Sequence, residues 1–259
     1  MNSLLNHFVG VEFLGTVPLL SFIVFLAAVL RGFTGFGFAL FAVPLASLVV
    51  EPAQIVPVIL GLQFASGLVS LPRDARVINR PSCSLLIISG IPCTIIGLVM
   101  LNRAPQDALQ LIVGVVTVGA ALAMARRPGD TARPPGNLAT IGAGIASGIL
   151  HGMLAMGGLP LSIYYLGGGF RPEVARASMT AMFSIFSAVL LLAGAMFDHI
   201  GMKEAIGATI LFPSLIAGTL LGGWLFRRMR GHHRGIALTT LLAIGIVAMA
   251  NAGMSIFHV

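Results

Sequence analysis

The sequence predicts an all-α, polytopic membrane protein built from two inverted-topology repeats. Three observations predict this class: the composition, a series of long apolar runs, and motifs that recur at a fixed spacing. Hydrophobic residues make up 57% of the 259 residues and charged residues only 9%, with a mean hydropathy of +1.01. Soluble domains typically carry about 25% charged residues. Lipid must therefore surround most of this chain.

The apolar runs define the predicted membrane segments. Several contain 18 or more residues, the length that a helix needs to cross about 30 Å of hydrocarbon. The runs at 138–150 and 152–169 are short or interrupted by glycine, so the first two runs of each half are either complete spans or broken, re-entrant segments. Each half contributes about five runs, and we expect eight to ten membrane segments. The runs are 11–30, 33–50, 54–71, 83–101, 108–125, 138–150, 152–169, 174–197, 203–226 and 235–257.

Glycine and proline motifs recur after about 120 residues and relate the two halves. A segment rich in arginine and proline, 126–136, separates these halves. We therefore predict a first membrane repeat at 1–125, a cytoplasmic linker at 126–136 and a second membrane repeat at 137–259. The positions that match at a spacing of 120 are Gly32 and Gly152, Gly35 and Ala155, Gly37 and Gly157, and Pro52 and Pro172; Pro92 and Gly97 match Pro213 and Gly218 at a spacing of 121.

The distribution of arginine predicts the orientation in the inner (plasma) membrane, because cytoplasmic loops carry an excess of Lys and Arg. Twelve of the basic residues fall in four loops, whereas the opposite face holds only Arg103 and Lys203. In this orientation loop 102–107 lies outside and its counterpart, loop 227–234, lies inside. The halves are then inverted repeats, an architecture that secondary transporters use to alternate access to a central site. The four loops predicted to be cytoplasmic are 72–81, 126–136, 170–176 and 227–234.

Arg31, in the first glycine motif, is the only charged residue between Phe13 and Val50. A charge inside a membrane segment is costly and often marks a substrate pathway. A helix break at the glycines would point helix N-termini at a substrate, and a guanidinium offers a planar fork of donors that matches an oxyanion. Two other interpretations stay open: Arg31 snorkels at the membrane surface, and the glycines are packing sites between helices.

His151 takes the position of Arg31 in the second half, and imidazole titrates near neutral pH. It is either a proton-coupling group or a buried structural histidine. Gln63 and Ser66 share a helix face after the first motif, and Ser184 and Ser187 repeat this arrangement. A lone serine in a membrane helix usually bonds its own backbone. The candidate substrate-binding residues are Arg31, Gly32, Thr34, Gly35, Gly37, Gln63, Ser66, His151, Gly152, Gly157, Gly158 and Ser184.

Composition and motifs also disfavour several function classes. The net charge of +7 comes mainly from arginines in short loops rather than from a soluble basic surface, so no nucleic-acid partner is expected. The sequence contains no nucleotide-binding loop, paired-histidine metal motif or serine-hydrolase elbow. We therefore expect no enzyme activity, metal or cofactor. The expected partners are a small anionic substrate, a coupling ion and the lipid bilayer, and a homo-oligomer is compatible with the sequence.

At the two glycine motifs the sequence resembles the TauE/SafE sulfite exporters, also called the toluene-sulfonate uptake permease family. The resemblance covers nearly the whole chain and implies a membrane carrier for sulfur-containing anions, with duplicated halves and ion-coupled transport. This sequence thins the usual glycine run after Gly37 and has Ala155 in place of an expected glycine. The matching stretches are 31–38, Val43-Pro44-Leu45, Glu51-Pro52, Ser147-Gly148 through Gly152, 156–160 and Arg171-Pro172.

The leading functional interpretation is a secondary transporter. It would move a small sulfur-containing or organic anion, such as sulfite or an organosulfonate, by alternating access and with a coupled proton or ion. The alternatives are a passive anion channel and, from other classes, an integral-membrane enzyme or an assembly subunit. An assembly subunit without a site of its own would leave Arg31 and the paired glycine motifs unexplained.

Overall fold

A computed structural model of the chain describes residues 11–34, 37–125, 135–197 and 200–228. This part of the chain is helical and contains no strand, which confirms the all-α prediction. We number its helices in chain order. They are α1 (Val11–Thr34), α2 (Phe38–Ala46), α3 (Pro52–Asp74), α4 (Arg80–Arg103), α5 (Gln106–Ala125), α6 (Asn137–Leu154), α7 (Gly158–Gly167), α8 (Pro172–Met196) and α9 (Met202–Arg228).

Within the described residues, seven helices are long and apolar enough to cross a membrane. The other two, α2 and α7, have 9 and 10 residues. At 1.5 Å per residue they reach only about 15 Å, roughly half of the hydrocarbon thickness. Neither is therefore a complete span, so these described helices favour the broken alternative for the second run of each half. The tenth apolar run, 235–257, lies outside the described residues.

The helix boundaries repeat at the same spacing of 120 residues as the glycine motifs. The first helix of each half ends at Thr34 and Leu154, and the short helix begins at Phe38 and Gly158. The third helix begins at a proline in both halves, Pro52 and Pro172. Proline suits the first turn of a helix because the N–H that it lacks has no partner there.

The polypeptide reverses direction between α6 and α7. Helix α6 ends at Leu154, and the next residue, Ala155, adopts a left-handed conformation with φ 55°. The chain then returns along α6, because Ser147 Oγ donates to the carbonyl oxygen of Gly157 over 2.9 Å and the hydroxyls of Thr140 and Tyr164 lie 3.0 Å apart. Together α6 and α7 form a helical hairpin whose two ends lie on the same side of the bundle.

Two helix pairs, one helix from each half, make the most extensive interhelical contacts: α4 with α6, and α1 with α9. Glycines allow both pairs to approach closely. A Cβ at Gly148 would lie 2.4 Å from the carbonyl oxygen of Gly90, and one at Gly152 would lie 2.0 Å from that of Thr94. The residue numbers of the contacting positions rise together along the two helices, so α4 and α6 run in the same direction.

Helices α1 and α9 also run in the same direction, as their glycine contacts show. A Cβ at Gly218 would lie 2.4 Å from the carbonyl oxygen of Phe25, and one at Gly222 would lie 2.1 Å from that of Val29. Between these two outer pairs lie α3 and α8, which contact each other. In each of them 56% of the spanning residues are buried, against 28% in α1 and α9, so α3 and α8 form the centre of the bundle.

Contacts between loops sort the connections into two faces. On one face Gln106 Nε2 donates to Glu51 Oε2 over 3.0 Å, which joins the α2–α3 and α4–α5 connections. On the other face Gly168 lies against Pro135, which joins the α7–α8 connection to the end of the linker. The two contacts pair connections that the arginine distribution also places together, and the cytoplasmic side of the bundle stays a prediction.

The packing of Gly152 leads to a stability prediction. Gly152→Ala should lower the melting temperature in detergent, because overpacking at a close helix contact typically costs about 1–3 kcal/mol. Gly223→Ala is the matched control, since a Cβ there would meet nothing within 4 Å. Equal melting temperatures for the two variants would contradict the close contact between α4 and α6.

Candidate functional site

A cavity of about 30 Å³ lies where the interrupted helices of the two halves meet. Its wall combines the start of α2, the approach to α7, the end of α1, and side chains of the central helices α3 and α8. The lining residues are Arg31, Gly37, Phe38, Ala39, Leu40, Gln63, Ala155, Met156, Gly158, Thr180 and Phe183.

Two helix N-termini face this cavity. Gly37 caps α2 in a left-handed conformation with φ 88°, which glycine adopts without strain. Phe38 to Leu40 form the first turn of α2, and Gly158 is the first residue of α7. N–H groups in the first turn have no acceptor within their own helix, and the helix dipole places partial positive charge there. The two short helices therefore offer N–H donors and positive potential to one space.

Arg31 adds a permanent positive charge to the same space. It lies in the last turn of α1, its side chain is half-buried, and it lines the cavity. Its Nη1 donates to Ser66 Oγ in α3. This contact holds the guanidinium against α3, one of the two central helices of the bundle.

Gln63 and Thr180 are the uncharged polar side chains that line the cavity. Gln63 Nε2 donates to the carbonyl oxygen of Ala155 over 3.1 Å. That contact links α3 of the first half to the helix break of the second half. Thr180 lies on α8, which is the counterpart of α3 in the second half. Each of the two central helices therefore supplies one polar side chain to the cavity.

The polar pair at Arg31 has a counterpart in the other half. His151 Nε2 lies 3.1 Å from Ser187 Oγ; His151 matches Arg31 at a spacing of 120, and Ser187 matches Ser66 at a spacing of 121. Each half thus joins the polar residue near the end of its first helix to a serine on its third helix.

His151 is completely buried and lies behind the cavity wall rather than in it. Its ring stacks on Phe183, with 5.4 Å between ring centroids and 4° between planes, and contacts Phe186 edge-on at 5.7 Å. Its Nδ1 has no hydrogen-bond partner within the described residues. Phe183 therefore separates the imidazole from the cavity.

Comparison with known proteins gives the family. The family model for the sulfite exporter TauE/SafE matches residues 20–249. This chain belongs to the TauE/SafE family. A probable sulfite/organosulfonate exporter, TauE, from Cupriavidus necator is 26% identical over 194 residues, which cover 73% of this chain and 76% of the relative. No solved structure matches the chain. TauE/SafE proteins are membrane exporters, so the transporter prediction is confirmed at the level of the family, as is the prediction that the chain is not an enzyme.

In this TauE/SafE protein some of the predicted site residues lie at the cavity and others do not. Arg31, Gly37, Gln63 and Gly158 line it, and Ser66 contacts Arg31. The side chain of Thr34 and the whole of Gly35 lie outside the described residues. The predicted residues that the cavity does not include are Gly32, His151, Gly152, Gly157 and Ser184.

These five residues have other contacts. Gly32 and Gly152 pack against the backbones of α9 and α4, as the helix-packing alternative predicts. Gly157 fits against Ser147 and the Cβ of His151, and the hydroxyl of Ser184 donates to the carbonyl oxygen of Thr180 over 2.7 Å. The helix breaks are therefore near the predicted site, but only part of each motif faces it.

The sequence analysis missed Thr180 and the apolar wall of the cavity. Thr180 precedes Ser184 by one helical turn and Phe183 by three residues, so all three lie on neighbouring positions of α8. A helix-face argument starting from Ser184 would have found Thr180. Nothing in the sequence indicates that Met156 and Leu40 line the same cavity, because they belong to different halves.

Proposed function

We propose that this TauE/SafE protein is a secondary transporter for a small sulfur-containing or organic anion, with sulfite as the first substrate to test. The observation that carries the proposal is the convergence of Arg31 and the N-termini of α2 and α7 on one cavity. The relative from Cupriavidus necator, a probable sulfite/organosulfonate exporter, supports the choice of sulfite.

The chemistry of this cavity suits an oxyanion. A guanidinium provides planar, charge-assisted hydrogen bonds. Helix N-termini are common anion sites because their free N–H groups and dipoles both favour negative charge. Thr180 adds a hydroxyl that can donate to a further oxygen. Apolar neighbours such as Phe183 and Met156 exclude water, which strengthens each of these interactions.

Proteoliposomes containing the purified protein test the proposal. Uptake of radiolabelled sulfite should saturate with concentration, and unlabelled sulfite inside the vesicles should accelerate it. The second result distinguishes a carrier from a passive channel, since a channel shows no such acceleration. Absence of protein-dependent sulfite uptake and of counterflow would contradict the proposal.

The inverted repeat is part of this proposal, and the helix directions support it. Helix α4 runs parallel to α6, and the helical hairpin of α6 and α7 starts α8 on the face where α6 starts. Because α8 and α9 are joined by a short connection and each is long enough to span, α9 runs opposite to α4. Helix α1 is parallel to α9 and therefore antiparallel to α6, its counterpart.

A difference in helix register between the halves supports alternating access. A Cβ at Gly152 would meet Thr94 O at 2.0 Å and Leu98 N at 3.0 Å. Its counterpart Gly32 meets Thr219 O at 2.6 Å and Gly223 N at 2.9 Å. At a spacing of 121, the counterparts of Thr94 and Leu98 are Leu215 and Thr219. Gly152 contacts Thr94, but its counterpart Gly32 contacts Thr219 instead of Leu215. Helix α1 is therefore placed one helical turn further along α9 than α6 is along α4.

One turn corresponds to a displacement of about 5–6 Å. If the halves exchange these two registers, the same contacts re-form with their roles reversed, and the cavity opens to the opposite face. Two states that differ by such an exchange have similar packing, which is what a reversible carrier requires. If the protein lies in the plasma membrane with its arginine-rich loops in the cytoplasm, the exchange would carry the anion between the cytoplasm and the exterior.

His151 is our candidate for the coupled proton. Replacement by glutamine keeps a hydrogen-bonding group beside Ser187 but cannot exchange a proton near neutral pH. We expect His151→Gln to flatten the dependence of sulfite transport on external pH while the protein stays folded. Ser187→Ala is the control, because it removes the hydrogen bond at Nε2 and keeps the imidazole. A pH profile like that of the unmodified protein would make His151 a structural residue.

A further inference from the structure

The cavity is small for the class of substrates that the family name suggests. A volume of about 30 Å³ holds two or three water molecules. A carrier that alternates access encloses its substrate between its two open states. The side chains that line the cavity therefore limit how bulky an anion can be enclosed. A sulfur atom with its oxygens needs little room beside these side chains, whereas a sulfonate with an aromatic or long organic substituent needs them to move apart.

The side chains around Gly158 set this limit. A Cβ at Gly158 would lie 3.4 Å from Leu40 Cδ1 and 3.6 Å from Phe183 Cζ, both ordinary contact distances. Neither a backbone strain nor a steric conflict thus requires glycine at this position. Its absence of a side chain instead leaves the space between Leu40 and Phe183 open at the N-terminus of α7.

Phe183 is held in place from behind. Its ring stacks on His151, whose Nε2 in turn contacts Ser187 on the same helix. To swing out of the cavity, the Phe183 ring would have to leave this nearly parallel stack. Leu40, by contrast, belongs to the short helix α2 and lies on the facing wall. The stack on His151 therefore fixes the Phe183 ring on one side of Gly158, and the buried side chain of Leu40 lies on the other.

We propose that Phe183 is the residue that determines substrate size, and that it restricts this transporter to small oxyanions. Leu40 and Gly158 complete the filter, and His151 positions the Phe183 ring. This inference rests on the proposed function, since it concerns the same cavity. It goes further because it predicts that bulky organosulfonates are poor substrates for this chain.

Competition against radiolabelled sulfite in proteoliposomes tests the inference with methanesulfonate and benzenesulfonate as competitors. In the unmodified protein, benzenesulfonate should compete roughly tenfold or more weakly than methanesulfonate, as expected for excess volume in a closed pocket. Phe183→Ala removes a phenyl ring from the wall; it should slow sulfite transport, because the wall then excludes water less well, and it should reduce or reverse this ratio.

Two further variants keep the test decisive. Phe186→Leu changes a residue that also contacts His151 but does not line the cavity, so the ratio should stay the same. Gly158→Ala adds a methyl group that packing tolerates, and it should weaken competition by methanesulfonate more than transport of sulfite. Sulfite transport with an unchanged ratio in both Phe183→Ala and Gly158→Ala would overturn the size filter alone. Absence of sulfite transport in the unmodified protein would instead overturn the proposed function.

Discussion

Arg31→Gln should abolish most sulfite transport and leave the protein folded. The side chain provides the permanent positive charge among the groups that line the cavity, and the two helix N-termini contribute only partial charge. A neutral amide also removes the planar pair of donors that an oxyanion can bind at two points. Because burying a charge in a membrane helix costs about 2.5–3.5 kcal/mol on insertion scales, the ligand-free protein should not lose stability.

Arg31→Lys separates charge from geometry. The lysine keeps the positive charge but loses the planar fork, so binding of sulfite should weaken by about 1–2 kcal/mol, roughly the size of one charge-assisted hydrogen bond. That loss corresponds to about a 5- to 30-fold higher dissociation constant. Ser66→Ala should have a smaller effect, since it removes the hydroxyl that accepts from Arg31 and leaves the guanidinium in place.

The measurement combines initial rates of sulfite uptake with melting temperatures in the presence and absence of sulfite. Arg103→Gln is the matched control, because Arg103 is exposed at the end of α4 and does not line the cavity. It should transport sulfite normally and keep the stabilisation by sulfite. Normal uptake by Arg31→Gln would show that Arg31 has only a topological role, and the anion site would then lie elsewhere.

Much of the architecture could be predicted because a bilayer restricts what a chain can do. Backbone groups in hydrocarbon must be satisfied within a helix, so length and hydropathy alone predict most spans. The motif spacing predicted where helices end and begin, as the equivalent ends at Thr34 and Leu154 show. Sequence could not decide whether the second run of each half crosses the membrane. That choice depends on tertiary contacts such as the one between Thr140 and Tyr164.

The candidate site was less predictable, and the glycines explain why. A glycine that permits close helix packing and a glycine that opens a helix N-terminus look alike in sequence. Gly152 packs against Thr94 on α4, whereas Gly158, six residues later, faces the cavity. Arg31 was easier to predict, because few environments accommodate an arginine within an apolar membrane segment at a low free-energy cost. Apolar wall residues such as Phe183 carry no signal of their own in a chain so rich in hydrophobic residues.

Cysteine pairs between α1 and α9 should reveal both registers of the transport cycle. In the present structure a Cβ at Gly218 would lie 2.7 Å from the Cβ of Ala28. After an exchange of registers, Ala28 would take the contact that its counterpart Gly148 now makes. A Cβ at Gly148 would lie 3.0 Å from the Cβ of Cys93, and the counterpart of Cys93 is Ser214. Ala28 should therefore approach Gly218 in one state and Ser214 in the other.

Two double-cysteine variants test this exchange. They share the cysteine on α1, and their second cysteines lie one helical turn apart on α9. Both start from a background with Cys83→Ala and Cys93→Ala; one adds Ala28→Cys with Gly218→Cys, and the other adds Ala28→Cys with Ser214→Cys. A bis-alkylating reagent that joins the two sulfurs irreversibly through one methylene group is preferable to oxidation, because sulfite itself cleaves disulfides by attack on sulfur. Sulfite uptake before cross-linking shows whether each variant is folded and active.

Both pairs should cross-link in membranes, and each cross-link should abolish uptake because it holds α1 in one register on α9. Helices α1 and α9 must separate slightly to admit the side chain at Gly218, and the pair at Ala28 and Gly218 should then react first because its Cβ atoms lie beside each other in this register; the pair at Ala28 and Ser214 should react as the carrier cycles. A bridge of one methylene group is only slightly longer than a disulfide, which needs Cβ atoms about 3.5–4.5 Å apart, so cysteines whose Cβ atoms stay one turn apart lie beyond its reach. An active variant in which Ala28→Cys and Ser214→Cys never cross-link, or one that transports sulfite normally after cross-linking, would rule out the one-turn exchange. The register difference between the halves would then be a fixed asymmetry of the fold, and access to Arg31 would have to alternate through some other movement, such as displacement of the short helices α2 and α7.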